Sequence, residues 1–112
     1  MVARGFYEGV NCIFCRVISG EAPAKIFYQD DRVIVFYDRA PLTPLHLLVC
    51  PKEHFKDFME APPETHAMLI ETVKKVVTEL GDKAKDFRVM INNGPRSGQT
   101  VFHLHYHIMA GK

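Results

Sequence analysis

The sequence has no tryptophan and only three cysteines, Cys12, Cys15 and Cys50, in 112 residues. An odd count cannot pair completely within the chain, which argues against a disulfide-stapled secreted scaffold and for a reducing, cytoplasmic setting. Charge of one sign is also missing: 14 Lys and Arg stand against 13 Asp and Glu, a formal net charge of +1. Without a basic field to displace counterions, a generic nucleic-acid binder is not expected, although a small phosphate ligand needs only a few placed donors. No apolar run approaches the roughly 20 residues of a membrane span, and Met1 to Asn11 hold no signal-like apolar stretch, so no membrane partner is expected. Repeats, low-complexity tracts and linkers are absent as well. The expectation is a single domain over residues 1–112, with 1–10 as a loosely ordered N-terminal extension. What is present is globular, with 47% hydrophobic and 24% charged residues, far from the composition of disordered chains.

Local patterns give the elements. Cys12 to Ser19, ending at Gly20, reads as a tight turn running into a short helix or an extended stretch. Lys25 to Gln29 and Val33 to Asp38 are β-branched and aromatic runs around Asp30-Asp31-Arg32, a hairpin signal. Pro41 and Pro44 make Arg39 to Leu45 a loop, and His46 to Cys50 is a short strand closed by Pro51. Pro62 and Pro63 suit the first turn of a helix in which Leu69, Val73, Val76, Val77 and Leu80 recur at helical spacing until Gly81 stops it. His66, on that helix, reads as solvated. Phe87, Val89 and Ile91 alternate as a strand, Asn92 to Gly98 is a polar loop, and Thr100 to Met109 is the final strand. Strands around one dominant helix predict an α+β domain with an antiparallel sheet.

That final strand holds three histidines at strict two-residue intervals, in Val101-Phe-His-Leu-His-Tyr-His-Ile-Met109. Strand alternation sends Phe102, Leu104, Tyr106 and Ile108 to the core and leaves His103, His105 and His107 as a row spaced by roughly 6.5 to 7 Å. Three readings compete: half-exposed structural histidines, imidazole ligands to zinc, and phosphoryl chemistry in which one neutral imidazole attacks phosphorus while its neighbours hold the oxygens. The preceding Asn92-Asn-Gly-Pro-Arg-Ser-Gly-Gln-Thr100 favours the third, because glycine amides, hydroxyls and an amide side chain can converge on an anion. Cys12-x-x-Cys15 on its own is ambiguous between zinc, redox chemistry and chance.

At these residues the chain resembles the histidine triad (HIT) family, whose signature alternates three histidines with apolar residues. His103-Leu-His-Tyr-His-Ile-Met109 matches it throughout. Cys12-Ile-Phe-Cys15, Phe36-Tyr-Asp38, His46-Leu-Leu-Val-Cys-Pro-Lys-Glu-His54 and Gly98-Gln-Thr-Val-Phe102 extend the match over nearly the whole chain. The ending Met109-Ala-Gly-Lys112 looks most like the nucleotide-binding, phosphoramidase branch, and His107 stands where the nucleotidyl-transferase branch has glutamine. The resemblance implies a HIT-like α+β fold: about five antiparallel strands, one long helix and a short N-terminal helix, completed as a two-fold homodimer.

It also implies roles. His105 would attack the α-phosphorus of a purine nucleotide to give a nucleotidyl-histidine that water resolves to an AMP-type product. His107 and Gln99 would contact phosphate oxygens, Thr100 would lie near the leaving group, Asn92 would add a polar contact, and His46 would orient the cluster. Asp38 would accept the ribose hydroxyls, and Ile13, Phe14, Val17 and Phe36 would wall the base, with ordinary core packing as their plain alternative. Arg39 departs from the aliphatic residue usual in the family. Cys12, Cys15, His54 and His103 match the zinc-containing members, a set suited to structural zinc, while no organic cofactor is implied. Cys50 reads as a small buried apolar residue. The leading activity is hydrolysis at the α-phosphorus, of the P–N bond of purine nucleoside phosphoramidates or of aminoacyl adenylates. Hydrolysis of dinucleoside polyphosphates is the alternative, and a zinc-stabilised nucleotide-binding or interaction protein with vestigial activity is the alternative of another class.

Overall fold

In Val33-Ile-Val-Phe-Tyr37 and in Leu45 to Pro51 nearly every position on both strand faces is apolar, so both faces of such strands need cover. A computed structural model of the chain, which describes residues 12–111, supplies that cover from two helices of unequal length. The order of elements is α1 (Ile13–Ser19), β1 (Ile26–Gln29), β2 (Val33–Tyr37), β3 (Leu45–Pro51), α2 (Pro63–Leu80), β4 (Phe87–Met90) and β5 (Tyr106–Ala110), with single 3₁₀ turns at Gly81–Ala84 and Pro95–Ser97. The expectation for residues 1–10 lies outside the described residues.

The five strands form one sheet in the order β1-β2-β3-β5-β4, and every pairing is antiparallel. The β1–β2 hairpin is clamped at its turn, where an Asp30 carboxylate oxygen accepts the backbone N–H of Arg32 at 2.8 Å and of Val33 at 3.0 Å. Alternation then sorts the side chains by face. Val33, Val35, Leu47, Val49, Tyr106 and Ile108 pack with Leu69, Val73 and Val76 of α2. Ile34, Phe36, Leu48 and Cys50 face the other way and pack with Cys12, Phe14, Cys15 and Val17 of α1 and its cap. Cys50 is fully buried, as its apolar reading requires. Prolines in the first turn and Gly81 after Leu80 bound α2 where the sequence places its ends. Among the described residues no helix is long and apolar enough to cross a membrane.

Three expectations need correction. The final strand does not run from Thr100 to Met109: only Tyr106–Ala110 joins the ladder. Before it the chain bends, the Leu104 N–H donates to the Phe55 carbonyl at 2.7 Å instead of to a neighbouring strand, and Phe102 is 42% exposed rather than in the core. The three histidines therefore do not form one row, as shown below. His66 is half-buried, with one ring nitrogen 2.7 Å from the Tyr106 hydroxyl and the other 2.9 Å from the Phe58 carbonyl, so it ties α2 to β5 rather than facing solvent.

Candidate active site and metal centre

Three imidazoles have their tautomers set by backbone groups that can act in only one sense. A carbonyl only accepts, so the 2.7 Å contact between His105 Nδ1 and the His103 carbonyl puts the proton on Nδ1 and leaves the Nε2 lone pair free. The same logic at His103, whose Nε2 lies 2.8 Å from the Pro51 carbonyl, leaves its Nδ1 lone pair free. An amide only donates, so the Leu42 N–H at 3.0 Å makes His46 Nδ1 an acceptor and places the proton on Nε2. That N–H points to His107 Nδ1 at 2.8 Å, with an Asp38 oxygen at 3.4 Å. His107 thus receives at Nδ1 and carries its own proton on Nε2. In this pair His105 offers a free imidazole lone pair beside the N–H donor of His107, with ring centres 4.9 Å apart.

Both rings line a cleft of about 250 Å³. Its apolar lining comes from α1 (Ile13, Phe14, Val17), the following loop (Pro23, Ala24), Phe36, Leu48 and Val101, and its polar lining from Tyr37, Asp38, Arg39, Thr100, His105 and His107. Phe14 stands edge-on to Phe36 at 5.3 Å and to His105 at 5.0 Å, so α1 is both wall and brace. Burial makes the cationic form of these imidazoles costly. His105 is held below the usual histidine range by desolvation, and His107 is lowered to about 4 by desolvation and by repulsion from His105 and His46. His46 is lowered too, first by desolvation, with Asp38 opposing. The cluster is therefore neutral at neutral pH.

The structure brings Ile13, Phe14, Val17, Phe36, Asp38, Thr100, His105 and His107 around the cleft, while His46 stands behind them and two expected contacts, Gln99 and Asn92, lie outside the lining. His46 is buried and acts on His107. Gln99, expected at a phosphate oxygen, has its amide spent on the loop: Oε1 accepts the Gly94 N–H at 2.7 Å, and Nε2 donates to the Lys56 and Val101 carbonyls at 2.9 and 3.1 Å. Asn92 likewise donates to the Ser97 carbonyl at 2.7 Å. Both fix the turn at Gly98, whose φ of +102° suits glycine, and so position Thr100. Sequence reasoning missed Leu48, which the two-residue period from His46 to Cys50 places on this face. It also missed Pro23 and Ala24, which sit in a loop without periodicity.

His103 turns away from its two companions into a second cluster, fully buried with Cys12, Cys15 and His54. Zn–S distances near 2.3 Å and Zn–N distances near 2.0–2.1 Å at tetrahedral angles imply S···N edges of about 3.5 Å and an N···N edge of about 3.3 Å. The four donor atoms show 3.5 Å (Cys12 Sγ to His103 Nδ1), 3.6 Å (Cys15 Sγ to His103 Nδ1), 3.2 Å (Cys15 Sγ to His54 Nδ1) and 3.1 Å (His54 Nδ1 to His103 Nδ1). The Cys15 N–H donates to Cys12 Sγ at 3.3 Å, a bond that favours thiolate. This donor set fits a structural zinc with no open position. Asp38, His46 and His107 also converge, but His46 Nε2 carries a proton rather than a lone pair, so that trio is a hydrogen-bond cluster.

Residues 19–112 match the HIT domain family model. Protein HitA of Neisseria gonorrhoeae is 42% identical over 101 residues, spanning 88% of this chain and 94% of that protein. Among solved structures, a HIT family hydrolase from Clostridium thermocellum superposes with a TM-score of 0.85 at 40% identity, covering 91% of each chain. A Zn-bound histidine triad family protein from Mycobacterium smegmatis gives 0.84 at 35% identity, over 92% of this chain and 76% of that one.

Proposed function

The chain belongs to the HIT domain family, and on that premise we propose that it is a nucleotide hydrolase acting through covalent catalysis by His105. The observation that carries this reading is the tautomer of His105: with Nδ1–H held by the His103 carbonyl, a neutral ring that lines the cleft keeps its Nε2 lone pair free. Nε2 attacks the α-phosphorus of a purine nucleoside phosphoramidate or aminoacyl adenylate. The new N–P bond forms as the bond to the leaving group breaks, an amine departing with a proton taken from solvent water and a carboxylate departing as the anion. Water then displaces His105 and releases the nucleoside monophosphate. The His107 Nε2–H, kept a donor by the His46 N–H behind it, stabilises charge on the phosphoryl oxygens. Thr100 lies beside the leaving group, Asp38 accepts the ribose hydroxyls, and the apolar wall takes the base. Gln99 and Asn92 act by holding the loop that carries Thr100.

Zinc at Cys12, Cys15, His54 and His103 would supply a cross-link rather than chemistry, joining α1 to the segment ahead of β5. The likeness to the Zn-bound Mycobacterium smegmatis protein supports it. The reading includes a two-fold homodimer, supported by β4, which is paired on one side only among the described residues and exposes Phe87 and Val89. The test is incubation with an adenosine phosphoramidate and then a dinucleoside polyphosphate, following AMP release. His105→Ala and His105→Gly are expected to lose turnover by 10³-fold or more, on the order of a lost covalent nucleophile. Variants as active as the parent end the covalent mechanism. AMP release from the polyphosphate alone shifts the substrate class but not the nucleophile.

A further inference from the structure

Among the described residues that line the cleft, Arg39 is the only one with a permanent positive charge. It follows Asp38 directly, and its backbone is clamped on both sides: the Asp38 N–H donates to the His46 carbonyl at 3.0 Å, and an Asp38 carboxylate oxygen accepts the Ala40 N–H at 2.8 Å. The position is thus built rather than left to a wandering loop. The Arg39 side chain is exposed, and among the described residues it makes no hydrogen bond or ion pair, with Asp38 or with anything else. Among the described residues it holds no part of the fold by a polar bond, yet it brings a five-donor fork to a cleft whose lining is mostly apolar.

We infer that Arg39 reads the edge of the base and biases the cleft toward 6-oxopurine nucleotides, those of guanine and hypoxanthine. The inference rests on the nucleotide reading above and adds a specificity to it. A guanidinium donates and never accepts, so its complement is an edge with two acceptors side by side. Guanine and hypoxanthine present O6 and N7 in that arrangement, whereas adenine presents N7 beside an amino donor that opposes the fork. The rest of the wall, Ile13, Phe14, Val17 and Phe36, offers shape and burial to any purine and discriminates poorly between them. A phosphate on the ribose is the other partner an arginine can take, but the Asp38 carboxylate in the same cleft opposes an added anion there.

The test measures kcat/KM for guanosine, inosine and adenosine 5′-phosphoramidates, together with the Kd of the three corresponding monophosphates, for the parent, Arg39→Ala and Arg39→Lys. The parent is expected to favour guanosine and inosine over adenosine by about tenfold, toward the low end for a bidentate base contact because Arg39 is exposed to solvent. Arg39→Ala is expected to bring the three within about twofold. Lysine keeps the charge but lacks the fork, so it is expected to recover less than half of the ratio. Equal use of guanosine and adenosine by the parent overturns the inference, as does a preference that survives Arg39→Ala or one that guanosine shows and inosine does not. Tighter binding of adenosine 3′,5′-bisphosphate than of AMP, lost in Arg39→Ala, assigns the arginine to phosphate instead. Failure of every monophosphate to bind removes the nucleotide reading itself, whereas equal binding removes only the role of Arg39.

Discussion

Removing the metal from the Cys12, Cys15, His54 and His103 cluster tests the link between the zinc site and the cleft. The helix that forms the cleft wall, α1, has seven residues, well short of the roughly 12–15 that an isolated helix needs to persist in water. Ordering those seven residues costs about 7–14 kcal/mol of backbone entropy at 1–2 kcal/mol each. Burial of Phe14 and Val17 against Phe36 and Leu48 offsets about 3–6 kcal/mol. A zinc ion present at a thousand times its dissociation constant adds about 4 kcal/mol to the folded state. At the middle of these ranges the balance comes within about 2 kcal/mol of closing with the metal and falls short by about 6 kcal/mol without it. Chelation of protein purified from zinc-replete medium is expected to lower the melting temperature by roughly 15–30 °C, at 4–8 °C per kcal/mol for a domain near this size. It is also expected to weaken nucleotide binding, because Ile13, Phe14 and Val17 leave the cleft wall with α1. Circular dichroism melts and monophosphate titrations, with zinc content measured on the same samples, read both effects. A protein shown to be zinc-free whose melting temperature stays within 2–3 °C of the loaded form refutes the energetic argument. Loss of stability with unchanged nucleotide affinity refutes the coupling through α1.

Two further predictions concern the cleft. Asp38→Asn keeps an oxygen for the Ala40 N–H but removes the charge offered to the ribose, so nucleotide affinity is expected to fall about tenfold with little change in melting temperature; unchanged affinity by calorimetry removes the ribose assignment. Because burial holds His105 below its ordinary value of 6.5, its lone pair is lost only as the pH falls through that lower folded value, and the acid limb of kcat/KM is expected below pH 6.5. A limb centred at or above 6.5 contradicts the burial argument. The sign for stability agrees: unfolded histidines take up protons near 6.5 while His107 resists until about 4, so stability falls as the pH drops through that interval.

Much of the fold was legible because its signals are local. The hairpin around Asp30, the prolines and glycine bounding α2, and the apolar period within it depend on neighbours in sequence, and each lies where the pattern places it. What was not legible depends on distant partners. His66 looks like a surface residue until β5 brings the Tyr106 hydroxyl to it from 40 positions away. Gln99 looks like a phosphate contact until its amide meets the Lys56 carbonyl, 43 residues back. A side chain with both donors and acceptors can satisfy either role, and only tertiary placement decides which one claims it.

The histidine segment shows why this matters for the chemistry. Continuous pairing from Thr100 to Met109 would hold His103 on the same sheet face as His105 and His107, about 6.5–7 Å from the next imidazole, where it could serve a row but not a second site. By leaving the ladder before Tyr106 the chain frees the His103 carbonyl from strand pairing, and that carbonyl accepts the His105 Nδ1–H. It also lets the His103 ring swing onto the Pro51 carbonyl, at the end of β3, and aim Nδ1 at the cysteines. The same residue thus sets the nucleophile's tautomer with its backbone and anchors the metal cluster with its side chain. A substitution such as His103→Ala removes only the second function directly, since the carbonyl remains. If the two sites are independent, it leaves turnover intact after the loss of zinc. If the ring's bond to Pro51 also holds the backbone at 103, His105 is released to rotate, and kcat falls further than it does in the parent stripped of zinc by chelation.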